Sequence, residues 1–507
     1  MNIFKLKNIT NTYKYELIFV ITSLIVRIMF ALREPLFVDE SFTWQLSKFS
    51  VANIINGSIN DIHPPMYAIL LKIWIKLFGD NLYVMRSMSL LLWIITATLL
   101  CYIVIRVTKN KASTLSVYFL LAFLPVIVSI SVYTRMYSLT IPLTLGSMIA
   151  LEQYILKKKR IYLILFSFLS LIACYTDNTS LFAYIGLNIF YSIYLLNTQN
   201  LSIKNCLLKN IEWFICQLIV FILFIPWLVI IFIQINGHLS SNLSWVEPFN
   251  LITFFKIFSI ITDLNVFDFT LVSFFTGLIC CPIVIYVYYI NLKEFIKNPR
   301  LNILKNILGV VSISTVIIII LGSLKNSLIM PRTFVFVILF FPILALPQFK
   351  FFRNSQYIKG FKFSVVFFIL LFVIIFNSFY GAPLNDPQLG EIVNMVKNDS
   401  SNNLVIVNQD ADFNYPYTQV KYLFKDTNKI IKINDKFDTG SYVIDTKKDF
   451  INVENISSSF YYFTVTEEIR PVFPCYEIKH HKLINESLLH DYFLFYRLCK
   501  YSSYTLD

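Results

Sequence analysis

Residues 83–105 read YVMRSMSLLLWIITATLLCYIVI, an apolar run whose one charged side chain, Arg86, lies near its start. A helix rises about 1.5 Å per residue, so such a run crosses the ~30 Å hydrocarbon core of a bilayer. Working outward, comparable runs occur at about 15–32, 112–132, 136–156, 161–176, 179–197, 211–234, 269–292, 306–323, 329–347 and 363–380. The whole chain of 507 residues is 57% hydrophobic and only 14% charged. Soluble domains carry about 25% charged residues, so most of this surface belongs in lipid. The expected fold is an α-helical polytopic membrane protein of about eleven transmembrane helices. Lys5, Lys7 and Lys14 precede the first run and no small-residue cleavage site follows it, so it reads as an uncleaved span.

The formal charge of +13 does not point to nucleic acid, because its placement is that of a membrane protein. With the N-terminus inside, the connections 1–14, 106–111, 157–160, 198–210, 293–305 and 348–362 together hold 20 Lys or Arg. The opposite connections and span ends between residues 100 and 380 hold four: Arg135, Lys256, Lys325 and Arg332. This asymmetry places the first set in the cytoplasm and the tail outside. None of the eight Cys forms a CxxC pair or zinc spacing, and six of them (Cys101, Cys174, Cys206, Cys216, Cys280 and Cys281) lie in or beside apolar runs as small packing residues.

The membrane domain is expected over 1–380, with long outer loops at 33–82 and 235–268. Inside the first loop, MYAILLKIWIKLF (66–78) is apolar but too short to span, and Lys72 and Lys76 share one helical face. That combination predicts a helix lying in the membrane interface. After residue 380 the composition turns to Asn, Asp, Lys and Ser. Asp386-Pro387 opens a helix there, and NNLVIVN (402–408), KIIKIN (429–434), SYVID (441–445) and YYFTVT (461–466) read as strands. Residues 381–507 are therefore expected to form a small extracytoplasmic α/β domain. Its Cys475 and Cys499 would lie in an oxidising compartment.

The outer membrane level gathers the chain's functional candidates: Asp39, Glu40, Asp61, His63, Arg86, Arg135, Asp177 and Arg332. Taken singly, a loop acid is usually solvated and an outer arginine usually a snorkelling anchor. Together they suit a reaction between an acidic lipid headgroup and a polar acceptor. Outside the cytoplasm no nucleotide sugar is supplied, so a sugar transferase there needs a lipid-linked donor. Arg86, Arg135 and Arg332 can hold its phosphate bidentately, and Asp39 can take the acceptor's proton, with Glu40 or a metal ion orienting the site.

VDESFTWQ (38–45), DIHPPMYAILLKIWIKLFG (61–79) and RSMS (86–89) resemble the N-terminal signature of glycosyltransferase family 39. This family includes dolichyl-phosphate-mannose protein mannosyltransferases and the aminoarabinose transferase of lipid A. VYTRMYSL (132–139) is similar to the family's Arg-x-Tyr motif, here Arg135 and Tyr137, and Pro226-Trp227 and Pro331-Arg332 fall at similar motifs. The resemblance covers about 1–380 and implies an inverting, C-type membrane transferase using polyprenyl-phosphate sugars, with a protein, lipid or cell-envelope glycan as acceptor. It implies Asp39 as base with Glu40 as its paired acid, and Asp61, His63, Arg86, Arg135, Tyr137 and Arg332 as substrate- or phosphate-binding residues. It leaves room for a divalent metal ion, for which Glu40, Asp61 and His63 are the candidate ligands. Two departures bear on metal ligation and acceptor choice: Tyr133 replaces a Glu frequent in the family, and Asp177 replaces a frequent His. A ligase or polymerase of lipid-linked glycans is the alternative enzyme. A transporter or flippase fits less well, since the chain shows no internal repeat and no polar groups grouped at the bilayer midplane.

Overall fold

The computed structural model describes residues 13–33, 36, 38–61, 63–199, 205, 208–236, 249–258, 271–324 and 328–348, and the backbone of five strands between 405 and 503. The chain divides into two compact units. One comprises Met1–Leu32 with Asp61–Val373, the other Arg33–Asn60 with Ile374–Asp507. The long first loop is thus split, its first half grouping with the C-terminal segment.

In the first unit the helices are α1 (Lys14–Arg33), then, after the break at residue 33, α4 (Met66–Phe78), α5 (Leu82–Thr108), α6 (Lys111–Phe123) and α7 (Pro125–Val132). They continue as α8 (Tyr137–Lys157), α9 (Arg160–Cys174), α10 (Thr179–Gln199), α11 (Ile211–Asn236), α12 (Leu251–Phe258), α13 (Leu271–Lys297), α14 (Ile303–Ser323) and α15 (Val335–Ala345). Among the described residues seven helices are long and apolar enough to cross a membrane, and α6 with α7, bent by 57°, passes the same test only when the two are taken together. Arg160–Cys174 and Arg332–Gln348, expected as spans, are apolar but shorter. The expected span at 363–380 lies outside the described residues.

Local chemistry sets the helix ends. Asn81 caps α5 by accepting the Val84 amide at 2.9 Å, and Asn110 caps α6 by accepting the Ala112 amide at 2.9 Å. Between them Lys109 turns the chain with φ 52°, so two residues suffice to reverse its direction. The helix read at 66–78 is α4, and it stops at Gly79, whose φ of 99° suits glycine and whose amide donates to Ile75 O at 2.9 Å. Ile73, Leu77 and Phe78 on α4 are exposed, and the Trp74 indole donates to Val84 O at 2.9 Å, fixing α4 against the start of α5.

Close packing holds the bundle. A Cβ at Gly186 on α10 would lie 3.0 Å from the Val311 Cα of α14, so any side chain there would push the two helices apart by a few tenths of an ångström. Trp213 packs against the tilted Tyr191 ring at 4.0 Å and stacks with Phe166 at 5.0 Å, joining α11, α10 and α9. Between the last turns of α5 and α8, Arg106 pairs with the buried Glu152 at 2.8 Å, and the Tyr102 hydroxyl donates to the same carboxylate at 2.9 Å. The opposite face of α11 exposes Leu218, Ile219, Ile222 and Phe232, the side chains a lipid-facing helix presents.

In the second unit, α2 (Val38–Lys48) and α3 (Val51–Asn60) form within a segment where the sequence analysis read no helix. Its strands are β1 (Val405–Gln409), β2 (Ile430–Ile433), β3 (Phe460–Thr466), β4 (His481–His490) and β5 (Phe495–Ser503), ordered β2-β1-β3-β5-β4. β1 lies parallel to β2 and β3, with Val405 opposite Ile430 and Tyr461. β3–β5 and β5–β4 are antiparallel, with an irregularity in β4 between Leu483 and Asn485. Three of the four strand segments read from sequence are β1, β2 and β3. The strand read at 441–445, the helix opened by Asp386 and Cys475 lie outside the described residues.

Candidate active site

Four connections of the first unit build one polar cluster. The first is the corner before α4, where Pro64 and Pro65 stiffen the backbone behind His63. The Asp61 side chain is buried there, and its carbonyl accepts a hydrogen bond from the Gln234 amide of α11. The His63 Nδ1 atom is buried with no hydrogen-bond partner among the described residues. The second connection, between α7 and α8, carries Arg135, 4% exposed. The Arg135 amide donates to Tyr133 O at 2.7 Å, and Ser138 Oγ donates to Arg135 O at 3.0 Å. Ser89 of α5 donates to Tyr133 O at 3.1 Å, tying this turn to the next helix.

The third connection joins α9 to α10. Asp177, 1% exposed, accepts hydrogen bonds from the Thr179 amide and the Thr179 hydroxyl. Its neighbour Asn178 accepts the Trp227 indole N–H at 3.1 Å, and Tyr175 O accepts the Met66 amide at 3.2 Å. These two bonds lock the turn against α11 and against the His63 corner. The fourth connection is the 3-10 turn Pro331–Phe334 before α15, which carries the buried Arg332. Thr333 Oγ1 donates to Met330 O at 2.7 Å and fixes that turn.

The charges of Arg135 and Arg332 are felt at both His63 and Asp177. Burial lowers the His63 imidazole well below its usual value, and the Arg135 and Arg332 guanidiniums lower it further. His63 is therefore neutral at neutral pH, able to donate from one nitrogen and accept at the other. Burial raises the Asp177 carboxyl, while the Thr179 hydrogen bonds and the same two guanidiniums pull it back. Two fixed cations, one acid and one neutral imidazole thus act on one another, a set suited to holding an anion while exchanging hydrogen bonds.

The other sequence candidates are placed differently. Arg86 is fully buried, donates to Ala31 O at 2.9 Å and lies over the Tyr133 ring at 5.9 Å, so it closes the end of α1. Tyr137 is buried at the start of α8. Asp39 and Glu40 belong to the second unit, in the first turn of α2; Glu40 is buried, Asp39 half-buried, and Asp39 O accepts the Thr43 hydroxyl at 2.9 Å. Among the described residues no three His, Cys, Asp or Glu side chains gather into a group able to hold a metal ion.

Arg27 escaped the sequence reading, although an arginine inside an apolar run was visible at position 27. It is fully buried in α1, its guanidinium 3.3 Å from the centre of the Trp93 ring. It donates to Ser131 Oγ at 2.7 Å, Ala122 O at 3.1 Å and Leu121 O at 3.4 Å. Pro125 has no amide hydrogen for the Leu121 carbonyl, so Arg27 satisfies the acceptor that the α6–α7 break releases.

Residues 62–230 match the family model described as dolichyl-phosphate-mannose-protein mannosyltransferase. The matched segment includes His63, Arg86, Arg135, Tyr137 and Asp177. No curated protein matches the chain. The crystal structure of ArnT from Cupriavidus metallidurans bound to undecaprenyl phosphate is similar over 96% of this chain and 98% of that one, with a TM-score of 0.59 and 11% identity. The apo crystal structure of the same protein gives a TM-score of 0.56 at 10% identity over the same shares. The chain is a multi-pass membrane protein whose fold is similar to that of the ArnT crystal structures. Residues 62–230 also match the family model named above.

Proposed function

We propose that this protein transfers a sugar from a polyprenyl-phosphate donor to a protein, lipid or envelope-glycan acceptor at the extracytoplasmic membrane face, with inversion at the anomeric carbon. The observation that carries the reading is the cluster of Arg135 and Arg332 with His63 and Asp177. A phosphodiester is the anion that two bidentate guanidiniums fit, and the similar ArnT structure is described as bound to undecaprenyl phosphate. In the transfer, the acceptor's oxygen or nitrogen attacks the anomeric carbon while the bond from that carbon to the phosphate oxygen breaks. The electron pair stays with the phosphate, where the arginines stabilise it. The acceptor's proton passes to a base, for which Asp39 is the candidate and Glu40 its partner. His63 donates to a phosphate or sugar oxygen without adding charge.

The test is incubation of the purified protein and acceptor membranes with a panel of radiolabelled polyprenyl-phosphate sugars. Label from one of them should appear in a protein, lipid or glycan fraction, and substitution of Arg135 and Arg332 together should abolish it. Absence of transfer from every donor would overturn the reading. Transfer of a whole glycan from a polyprenyl diphosphate instead would reassign the protein as a ligase or polymerase.

A further inference from the structure

We propose that the first unit binds one anionic phospholipid at the end opposite the candidate active site, with its phosphate among Lys158, Lys209 and Arg300 and an acyl chain in the groove between α10 and α11. Helices α8 and α10 begin at the Arg135 and Asp177 connections, so Lys158 and Gln199 at their far ends lie a full span away. The three cations come from separate connections: Lys158 follows α8, Lys209 precedes α11, and Arg300 lies between α13 and α14. One chain of contacts draws them together. Lys158 Nζ lies 5.4 Å from the centre of the Tyr154 ring, and Tyr154 packs on Tyr191 at 6.0 Å. The Tyr191 hydroxyl donates to Oδ1 of Asn210, the neighbour of Lys209, at 3.5 Å. Asn210 donates in turn to Gln199 Oε1 at 3.2 Å, and Arg300 Nη2 donates to the adjacent Thr198 O at 3.1 Å.

Cations joined through the buried Tyr154, Tyr191 and Asn210 differ from snorkelling anchors, which spread into water. Among the described residues none of the three forms an ion pair, whereas Glu212, two residues after Asn210, is held by Arg160 Nε at 2.9 Å. Burial and the charges of Lys209 and Arg300 lower the Lys158 ammonium below its usual value, so an anion here relieves their repulsion. The groove leads away from these charges. Ile185, Ile189, Ser192 and Leu196 follow the spacing of one helical face of α10, and Gln199 continues it. The groove measures about 490 Å³, and its α10 wall runs from Tyr184 to Leu196. That wall is ~18 Å long at the helical rise, against ~15 Å for half of a bilayer core, which suits an acyl chain. On the α11 side Gln217 Nε2 is buried with no hydrogen-bond partner among the described residues. Hydrocarbon offers that donor nothing, whereas a phospholipid brings ester oxygens. Charge at one end and an apolar channel behind it are the features by which basic pockets between helices take anionic lipid headgroups.

This site does not depend on the transferase reading, so its test needs no turnover. Native mass spectrometry of the purified full chain counts the lipids retained when phosphatidylglycerol and phosphatidylcholine are supplied in equal amounts. One phosphatidylglycerol should be kept in preference to phosphatidylcholine by about tenfold or more, the scale of several basic side chains meeting one anionic headgroup. Lys158→Gln, Lys209→Gln and Arg300→Gln together should abolish the preference. Lys109→Gln, Lys293→Gln and Lys297→Gln remove the same charge from the same end of the bundle and should leave it intact. Equal loss in the two triple variants would overturn the proposal, because unspecific attraction then suffices. Ser192→Trp fills the groove without altering charge and should lower phosphatidylglycerol retention, while added glycerol 3-phosphate should not displace the lipid. Unchanged retention in Ser192→Trp, or displacement by glycerol 3-phosphate, would overturn the groove as the seat of the chain. Conversion of a dimer to a monomer by Ser192→Trp would assign the groove to a second copy instead. All seven substituted positions are exposed, so the variants should fold as the parent does.

Discussion

Asp39 and Glu40 open the same helical turn, yet Glu40 is buried and Asp39 half-buried, so the two carboxylates sit in different surroundings. If Asp39 is the base, Asp39→Asn should cut turnover by about 100- to 10,000-fold while donor still binds, the range general-base catalysis contributes. Asp39→Glu should restore little, because one added methylene displaces the carboxylate from its line of attack. An Asn variant retaining half its turnover would pass the role to Glu40 or Asp61. For the phosphate, Arg135→Lys and Arg332→Lys keep the charge but lose the planar fork. Each should raise the donor's KM by about tenfold, the order of one lost charge-assisted hydrogen bond. Unchanged KM in both would argue against a bidentate clamp. Asp177 gives a stability check whose sign can be worked out. Its folded value is raised above the unfolded one of about 3.9, so its contribution is full below that value and is lost as pH rises through the folded value. At neutral pH Asp177→Asn should therefore unfold at the same temperature as the parent protein or higher, with the gap closing toward pH 4. Melting curves in detergent across that range would show the opposite order if the carboxylate were a net structural anchor.

The break between α6 and α7 is the element that delivers Arg135, and its cause is local. Pro125 ends the hydrogen-bond ladder, the axis bends by 57°, and Arg27 from α1 takes up the freed acceptors from below the Trp93 ring. Arg27→Met leaves these carbonyls unpaired in a dry bundle, each costing about 1–3 kcal/mol, partly offset by removal of a buried charge. A net loss of about 2 kcal/mol is expected on that basis, together with weaker donor binding as the Arg135 turn shifts. A Met variant as stable as the parent, by reversible denaturation in mixed micelles, would show that Arg27 is a passenger. The crossing of α10 and α14 is equally specific. Gly186→Val places a branched side chain against the Val311 backbone and should cost about 1–3 kcal/mol, the usual range for overpacking. These two contacts also mark what sequence could not convey. Runs of apolar residues announced α1, α5, α8, α10, α11, α13 and α14, because a bilayer demands length and hydropathy of each helix independently of its neighbours. The bend at Pro125 and the role of Arg27 depend on a pairing 95 residues apart in the chain, which no window on the sequence contains.

Across the whole molecule, legibility followed the same division. His63, Arg135 and Arg332 were recognisable as candidates because charges at span ends are scarce, and the structure brings them together from separate connections. Asp177 was visible as one of the outer-level charges and as a departure from the family pattern; the locking of its turn to Met66 and Trp227 sets it beside the His63 corner. Helices α2 and α3 were missed because their polar, short segments resemble loop until neighbouring structure buries Glu40, Ile54 and Ser58. One property belongs to the molecule as a whole and follows from its charge distribution: which end of the bundle faces the cytoplasm. Between residues 100 and 380, seventeen Lys and Arg stand on one set of connections against four on the other, so the cluster should face outward. Four single cysteines, each in a background lacking the eight native ones, make this measurable. Asn56 on α3 and Lys76 on α4 are exposed on the expected outer side, Lys159 and Asn298 on the expected inner side. An impermeant maleimide on intact cells should label the first pair at once and the second only after permeabilisation. The donor chemistry depends on this outcome, since a cytoplasmic cluster would have nucleotide sugars at hand and no need of a lipid carrier. Reversed labelling would remove the reason for two arginines to meet a lipid phosphate there. Labelling of Lys76 but not Asn56 in intact cells would instead show that the segment before Asp61 does not lie on the cluster's side, and Asp39 could then no longer serve as its base.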